Sequence, residues 1–465
     1  MNVKFTNPRV VVKFRDHLNL PYTNTADINA FFSKKKILPW KFITKLIPGF
    51  EINRLFNSLG PARILELASR AIYLDHQYRS PDFLSYFTID YPDFGKSDEL
   101  IKHLLKSESV EVAYVESGPL VSPNTNLSSN LPVISQGYLG PAPEGIDSAY
   151  AWSMQGGNGD GHVKWIDIEL GWNLNQEWVN VKTLPNTGVS HYLYNDHSTA
   201  VFGVVQMRRN QLDMVGIVPE ANGYVMSQWR PDGSFNTADA ILAAIGELHY
   251  GDILLIEAQV QDGETNERVW PVEIQPAIAS LIRLATALGI TVIEPSGNGE
   301  QYFGVGNDLD RFSARNGREI LNPSNSAFSD SGAIIVAAAS SQSPHSRLGF
   351  SNYGKRVDCY AWGENVVTAG SYPGSAQEIT NAFTKNFGGT SSAAAIIAGA
   401  AISIQNYTEI NHHFRLSPRQ LKSLLANEDL GTHSANGKEN DKVGVMPDLK
   451  KIIDYINKFA DELRR

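Results

Sequence analysis

Four polar residues occupy positions where apolar runs of the chain begin or end. Asp167 ends the run "VKWI", His197 precedes the helical stretch "STAVFGVVQM", Asn298 lies in the turn "SGNGE", and Ser391 opens "SSAAAIIAGAA". Acyl transfer to a serine needs a base for the hydroxyl proton, a carboxylate that fixes the tautomer of that base, and amide donors for the oxyanion. We therefore predict that Asp167, His197 and Ser391 form a catalytic group.

Each of these residues also has an ordinary structural explanation. An aspartate at a strand end is commonly a cap or turn former, a single histidine is commonly structural, and an asparagine between glycines commonly forms a turn. These alternatives stay open for each residue taken alone. Their combination along one chain favours catalysis.

Two adjacent serines precede the small, apolar run at 393–401. A buried helix needs one capping hydroxyl at its start, and Thr390 can supply it. Ser391 and Ser392 therefore need a further reason. We predict that Ser391 is the nucleophile and that Ser392 is scaffold.

The region after residue 140 alternates short apolar runs with helical stretches. The predicted strands include 161–168, 223–228, 252–259, 291–297 and 332–339, and the predicted helices include 198–207, 237–250 and 274–289. Continuous apolar runs are typical of strands buried on both faces. This pattern predicts an α/β domain with a doubly wound, mostly parallel sheet, in which ligands bind at the carboxyl ends of the strands.

The first 118 residues have a different pattern, which predicts a small α+β domain of the ferredoxin-like kind. The run "RVVVKF" from Arg9 alternates like a strand, and "VEVAYVE" at 110–116 closes the unit. Residues 119–140 are rich in Pro, Gly, Ser and Asn without an apolar period, so we predict a linker that is easily cut.

Composition excludes several classes of protein. The chain has 465 residues, 42% of them hydrophobic, and a formal net charge of −9, which gives no footprint for nucleic acid or an acidic membrane surface. A single cysteine, Cys359, allows neither an intrachain disulfide nor a cysteine-based metal site. The start "MNVKFTNPRV" lacks the apolar run of a secretory signal, so a cytoplasmic protein is expected, or a secreted one if a leader has been removed.

The segments around the four polar residues resemble those of the subtilases, the subtilisin-like serine proteases. The resemblance lies in "VKWIDIE", "HSTAVFG", "SGNGE" and "GGTSSAAAIIAGAA", in the order Asp, His, Asn, Ser. It implies a serine endopeptidase that acts on proteins or peptides through Asp167, His197 and Ser391. It also implies that Asn298 and the Ser391 N–H stabilise the oxyanion.

The resemblance extends to the N-terminal region, which is similar to a subtilase propeptide. It implies a propeptide or inhibitor-like domain at 1–118, a linker with a processing site at 119–140 and a catalytic domain at 141–465. Such a zymogen has its own N-terminal domain as an intramolecular inhibitor, and an activating partner is a further hypothesis. No cofactor is required. The acidic loop "GNDLD" at 306–310 leaves a structural calcium open, although an ordinary solvated loop is the favoured interpretation.

Departures from the family pattern concern the cleft. Ile168 and Glu169 follow Asp167 where the family has Ser/Thr-Gly, and Glu257, Ala258 and Gln259 occupy the expected substrate-binding strand. Glu257 could favour a basic substrate residue, or be a salt-bridged or solvated strand end. These departures keep open a second hypothesis, a catalytically weak or inactive binding protein on a subtilase scaffold. A nucleotide-binding enzyme finds no support, because no glycine-rich phosphate-binding motif follows the predicted strands.

Overall fold

The computed structural model describes residues 9–22, 25–37, 40–90, 94–116, 118–120, 135–261, 268–300, 304–314, 317–371 and 380–464. Most of the predicted linker, at 121–134, lies outside these ranges. No helix within them is both long and apolar enough to cross a membrane.

The N-terminal domain is a four-stranded antiparallel sheet with helices. Its strands follow the order β2-β3-β1-β4, which is the ferredoxin-like order, so the predicted α+β domain is confirmed. Its elements are β1 Arg9–Phe14, α1 Thr25–Lys35, α2 Trp40–Leu46, β2 Glu51–Arg54, α3 Pro61–Leu74, β3 Tyr86–Asp90, α4 Ser97–Leu105 and β4 Val110–Val115.

The second domain contains the remaining elements. They are α5 Ser148–Trp152, β5 Lys164–Glu169, β6 Lys182–Thr183, α6 Asn195–Gln206, β7 Asn222–Ser227, α7 Thr237–Glu247, β8 Ile253–Ile256, β9 Gln259–Gln261, β10 Val269–Pro271, α8 Pro276–Ala287, β11 Thr291–Pro295, β12 Ile334–Ala339, β13 Cys359–Trp362, β14 Val366–Ala369, β15 Phe383–Phe387, α9 Gly389–His412, α10 Pro418–Leu425, β16 Gly431–His433, α11 Gly437–Asp441, β17 Val445–Pro447 and α12 Leu449–Leu463. Helices α6, α7 and α8 separate strands β5, β7, β8 and β11, as the apolar runs predict.

Nine of the described strands form one sheet in the order β16-β17-β13-β12-β11-β8-β5-β7-β6. All neighbours are parallel except β16 and β17, which confirms the predicted mostly parallel sheet. The strands β7 and β8 lie on opposite sides of β5, so the chain changes direction across the sheet there. Ligands in such sheets bind where the strand order reverses, at the carboxyl ends of the strands.

The long helix α9 runs through the core of this domain. Its residues from Gly389 to Thr408 are all buried, which explains why its side chains are so small. At Gly399 a Cβ atom would lie 2.7 Å from the Cβ of Ile217, so only glycine permits this approach of helix and loop. The apolar run at 393–401, which follows the two serines, is therefore part of a core helix.

Strand β1 is buried on both faces, although its sequence predicts one inner and one outer face. Val11 and Lys13 are 1% and 2% exposed. Lys13 pairs in the sheet with Tyr86, whose hydroxyl lies 3.2 Å from the Ser280 hydroxyl of α8. The second domain thus covers the face that a separate domain would expose, and the buried ammonium of Lys13 is neutralised by ion pairs with Asp16 and Glu111.

A buried carboxylate holds the two domains together. Asp239, in the first turn of α7, accepts hydrogen bonds from the backbone N–H groups of Asn57 at 2.7 Å and Ser58 at 2.9 Å, and from the Ser58 hydroxyl. The Arg230 guanidinium pairs with Asp239 at 2.9 Å and donates to the Ser58 hydroxyl oxygen at 2.7 Å. Both ionised side chains are nearly inaccessible to water, so each depends on the other.

Replacing this carboxylate should weaken the interface. In Asp239→Ala the Arg230 charge stays buried without its partner, at a cost of about 3–5 kcal/mol. We expect a lower urea midpoint and faster hydrogen exchange at the Asn57 and Ser58 amides. Asp213→Ala removes an exposed carboxylate that pairs with Arg209 and should cost under about 1 kcal/mol. Equal midpoint shifts in the two variants would contradict this role of Asp239.

Candidate active site

The four predicted site residues converge at the carboxyl edge of the parallel sheet. Asp167 lies near the end of β5 and Asn298 follows β11, while His197 and Ser391 lie in the first turns of α6 and α9. All four side chains are buried or nearly so, with Ser391 and His197 each 7% exposed. The fold therefore brings together residues that are more than 220 positions apart in the chain.

The carboxylate that contacts the histidine is Glu169 and not Asp167. Oε1 of Glu169 lies 2.5 Å from Nδ1 of His197. Asp167, two residues earlier on the same strand, accepts a hydrogen bond from the Trp172 indole at 2.9 Å instead, and among the described residues its other oxygen has no partner. The prediction that Asp167 orients His197 is thus corrected. The Trp172 indole donates its hydrogen bond to Asp167, whereas the His197 ring contacts Glu169, two positions further along β5.

A signal for Glu169 was present in the sequence. The family pattern places a glycine two positions after its aspartate, and Gly171 lies two positions after Glu169. At Gly171 a Cβ atom would lie 2.4 Å from the carbonyl oxygen of His191, so this glycine is required by the fold. Aligning the motif on the glycine, and not on the aspartate, would have identified Glu169.

Burial and charge shift the pKa values of this site. Burial lowers the pKa of the His197 imidazole, but the negative charge and hydrogen bond of Glu169 more than offset it, so that the net pKa is raised. Burial raises the pKa of Asp167 well above its ordinary value, and the neighbouring Glu169 carboxylate adds to this rise. Glu169 therefore makes His197 a stronger base than a free imidazole, and burial disfavours the charged form of Asp167.

Glu257 is a third buried carboxyl group in the site. It follows β8 directly and is 6% exposed, so it is not the solvated strand end considered from the sequence. Burial raises its pKa well above the ordinary value, Glu169 and Asp167 raise it further, and the nearby Ser391 hydroxyl acts in the opposite direction. That hydroxyl falls short of hydrogen-bond geometry with Glu257, and within the described part of the chain neither Glu257 oxygen has a hydrogen-bond partner.

The side chain of Asn298 is oriented from both ends. Its Oδ1 accepts hydrogen bonds from the Thr390 N–H at 2.8 Å and the Thr390 hydroxyl at 3.0 Å. Its backbone N–H and its Nδ2 both donate to Oε1 of Gln259, at 3.2 and 3.3 Å. Thr390 thus orients the asparagine and does not cap the helix, whose N-cap position is occupied by Gly388.

Ser392 is part of the scaffold, as its sequence position suggested. Its hydroxyl donates to the carbonyl oxygens of Trp362 at 2.9 Å and Gly389 at 3.0 Å. Ser391, one residue earlier, turns its side chain into a cleft. That cleft is lined by Gly118, Leu120, Glu169, Glu257, Ala258, Gln259 and Ser391, among others.

The acidic loop at 306–310 faces a lysine. The Nζ of Lys442 lies 3.6 Å from a carboxylate oxygen of Asp308 and 3.9 Å from one of Asp310. The Asp310 carboxylate also accepts the Lys355 N–H at 2.9 Å. These contacts fit the interpretation of an ordinary loop, although a calcium ion there remains an untested expectation.

Comparison with known proteins agrees with this architecture. The model of the subtilase family matches residues 125–445. The chain therefore belongs to the subtilase family, which confirms the resemblance seen in the sequence. No relative was found among the curated proteins compared.

Solved structures with a similar fold are subtilisin-like proteases. Fervidolysin from Fervidobacterium pennivorans, a keratinolytic enzyme related to subtilisin, has a TM-score of 0.54 and 12% identity, covering 98% of this chain and 62% of its own. The chain thus spans less than two thirds of the length of fervidolysin. A cold-adapted subtilisin-like serine proteinase has a TM-score of 0.42 and 19% identity, with 63% and 88% of the two chains covered. The prenylagaramide maturation protease PagA has a TM-score of 0.45 and 17% identity, with 66% and 98% covered.

The contact between Glu169 and His197 can be tested without measuring catalysis. In Glu169→Gln the negative charge beside the imidazole is lost, so we expect the pKa of His197 to fall, as followed by an NMR titration of the ring. Asp167→Asn is the matched control, because Asp167 does not contact the ring and its substitution should change the pKa of His197 less. A larger change in the control would return the role to Asp167.

Proposed function

We propose that the protein is a serine endopeptidase made as a zymogen, with Glu169, His197 and Ser391 as its catalytic triad. The observation that carries the proposal is the buried contact between Glu169 and His197 beside the helix-start serine. The triad predicted from the sequence keeps His197 and Ser391 and exchanges Asp167 for Glu169. Proteins or peptides are the substrates.

In the proposed reaction, Ser391 attacks the scissile carbonyl carbon and His197 removes the hydroxyl proton. Because Nδ1 of His197 is engaged by Glu169, the proton passes to Nε2, from which it is later given to the leaving amine. Glu169 fixes this tautomer and stabilises the imidazolium. The acyl-enzyme formed on Ser391 is then hydrolysed by water in the same way.

The proposed oxyanion donors are Nδ2 of Asn298 and the backbone N–H of Ser391. The first-turn N–H groups of a helix have no partner within the helix, which makes the start of α9 a donor site. Thr390 holds Oδ1 of Asn298 and so directs Nδ2 away from the helix. Loss of the Asn298 donor should raise the barrier by about 3 kcal/mol.

Two observations support a latent form. Residues Gly118 and Leu120, which follow β4, line the same cleft as Ser391 and Glu257. The end of that segment is anchored by an ion pair between Glu116 and Arg9. We infer that 1–118 is an inhibitory propeptide domain, that 119–140 contains the processing site, and that 141–465 is the catalytic domain. Within the predicted linker, Gln136 and Tyr138 pack into the second domain, where both donate hydrogen bonds to the Val367 carbonyl oxygen.

Two features favour the alternative of a weak enzyme or a binding protein. The hydrogen bonds described for the His197 ring do not reach Ser391. Gln259 moreover takes both donors of Asn298. A substrate must therefore rearrange the cleft before the triad can act.

The nucleophile is tested with a fluorophosphonate label and intact mass. We expect the wild type to be labelled after cleavage in 121–134, Ser391→Ala to remain unlabelled, and Ser392→Ala, the adjacent control, to retain labelling. Self-cleavage that removes about the first 120 residues of the wild type but not of Ser391→Ala would identify the zymogen. If the cleaved wild type stays unlabelled while it remains folded, the binding protein is favoured.

Gln259 gives a second test. A substrate carbonyl oxygen must replace its Oε1 at Asn298, so Gln259→Ala should raise kcat/KM about two- to tenfold, equivalent to one hydrogen bond. Asn298→Ala should lower it by about 10² to 10³. Gln275→Ala, which removes another amide of the cleft, should not give the increase. A fall in kcat/KM for Gln259→Ala would mean that Gln259 positions Asn298 for catalysis.

A further inference from the structure

The cleft contains more buried carboxyl oxygens than its hydrogen bonds account for. Asp167, Glu169 and Glu257 are three buried carboxyl groups, and His197 is the cationic side chain among their described contacts. Glu169 is engaged by the histidine and Asp167 by an indole, but neither oxygen of Glu257 has a hydrogen-bond partner among the described residues. A buried carboxylate without a partner is costly, so this position favours a cation.

The same residues present the ligands of a metal ion. Glu169, His197 and Glu257 each offer one ligand atom, and these three atoms lie within 4.8 Å of one another. Only 6% of Glu257 is exposed, and its carboxyl group belongs to this cluster. An imidazole nitrogen with two carboxylate oxygens suits Zn²⁺, which leaves a fourth position open, whereas Ca²⁺ and Mg²⁺ prefer oxygen ligands alone.

We propose that Glu169, His197 and Glu257 form a Zn²⁺ site in the cleft, and that the bound ion switches the catalytic group off. The ion takes a lone pair from one ring nitrogen and from one oxygen of each carboxyl group, and any proton on these atoms passes to the buffer, with no change of oxidation state. If the nitrogen is Nε2, the base of the proposed reaction is blocked. If it is Nδ1, the hydrogen bond to Glu169 is broken. The inhibition rests on the proposed function, whereas the binding does not.

Binding is measured on full-length Ser391→Ala, which cannot turn over substrate. After treatment with a chelator, calorimetric titration with Zn²⁺ should detect a site that is weakened at least about tenfold by Glu257→Gln in the same background. Glu462→Gln removes an exposed carboxylate of α12 and should leave the affinity unchanged. Co²⁺ at this site should give visible absorption typical of low coordination and should broaden the NMR signals of His197.

The outcomes separate binding from function. Equal Zn²⁺ affinity with and without Glu257→Gln, in variants with unchanged thermal midpoints, overturns the site. If the site exists, Zn²⁺ should slow fluorophosphonate labelling of the cleaved wild type over the concentration range in which it binds, and labelling that continues at saturating Zn²⁺ overturns the switch. A wild type that is never labelled in chelator would refute the proposed function, while the titration of Ser391→Ala still decides the metal site.

Discussion

The contact between Glu169 and His197 is the interaction on which the site depends. A carboxyl group and an imidazole that lie 2.5 Å apart and are shielded from water satisfy each other's polar atoms, and either one would be costly to bury without the other. Their positions come from two elements that meet only in the folded domain: the end of β5, where the sheet reverses its strand order, and the first turn of α6. The rest of the domain maintains this meeting point with buried parallel strands and the core helix α9.

Around this pair lie polar residues that depart from the family pattern of the substrate-binding strand. Glu257 adds a buried carboxyl beside the nucleophile, and Gln259 caps the donors of Asn298. Both residues follow β8, the strand next to β5, so a change in this one segment alters the nucleophile and the oxyanion donors together. In the proposed function, a substrate must therefore displace Gln259 from Asn298, and processing must clear the cleft, before these residues act.

A second buried pair, Asp239 with Arg230, stabilises the association of the two domains. Asp239 neutralises Arg230 and accepts two backbone N–H groups of the N-terminal domain. The interface also covers one face of β1, including the buried Lys13. Gly118 and Leu120, which follow β4 of this domain, line the cleft. Docking at α7 and occupation of the cleft are therefore parts of one arrangement, on which the proposed latency rests.

The sequence by itself determined the fold class and identified three of the residues that meet at the proposed site, because their signals are local. Buried parallel strands are continuous apolar runs, and His197, Asn298 and Ser391 each lie in a short motif next to such an element. Tertiary structure decided what local patterns cannot distinguish. Asp167 and Glu169 lie on the same face of one strand, two residues apart, and only the packing of the Trp172 indole and the His197 ring assigns them different partners. Likewise, the alternation of β1 could not reveal that α8 covers its second face, because burial there arises from residues distant in the chain.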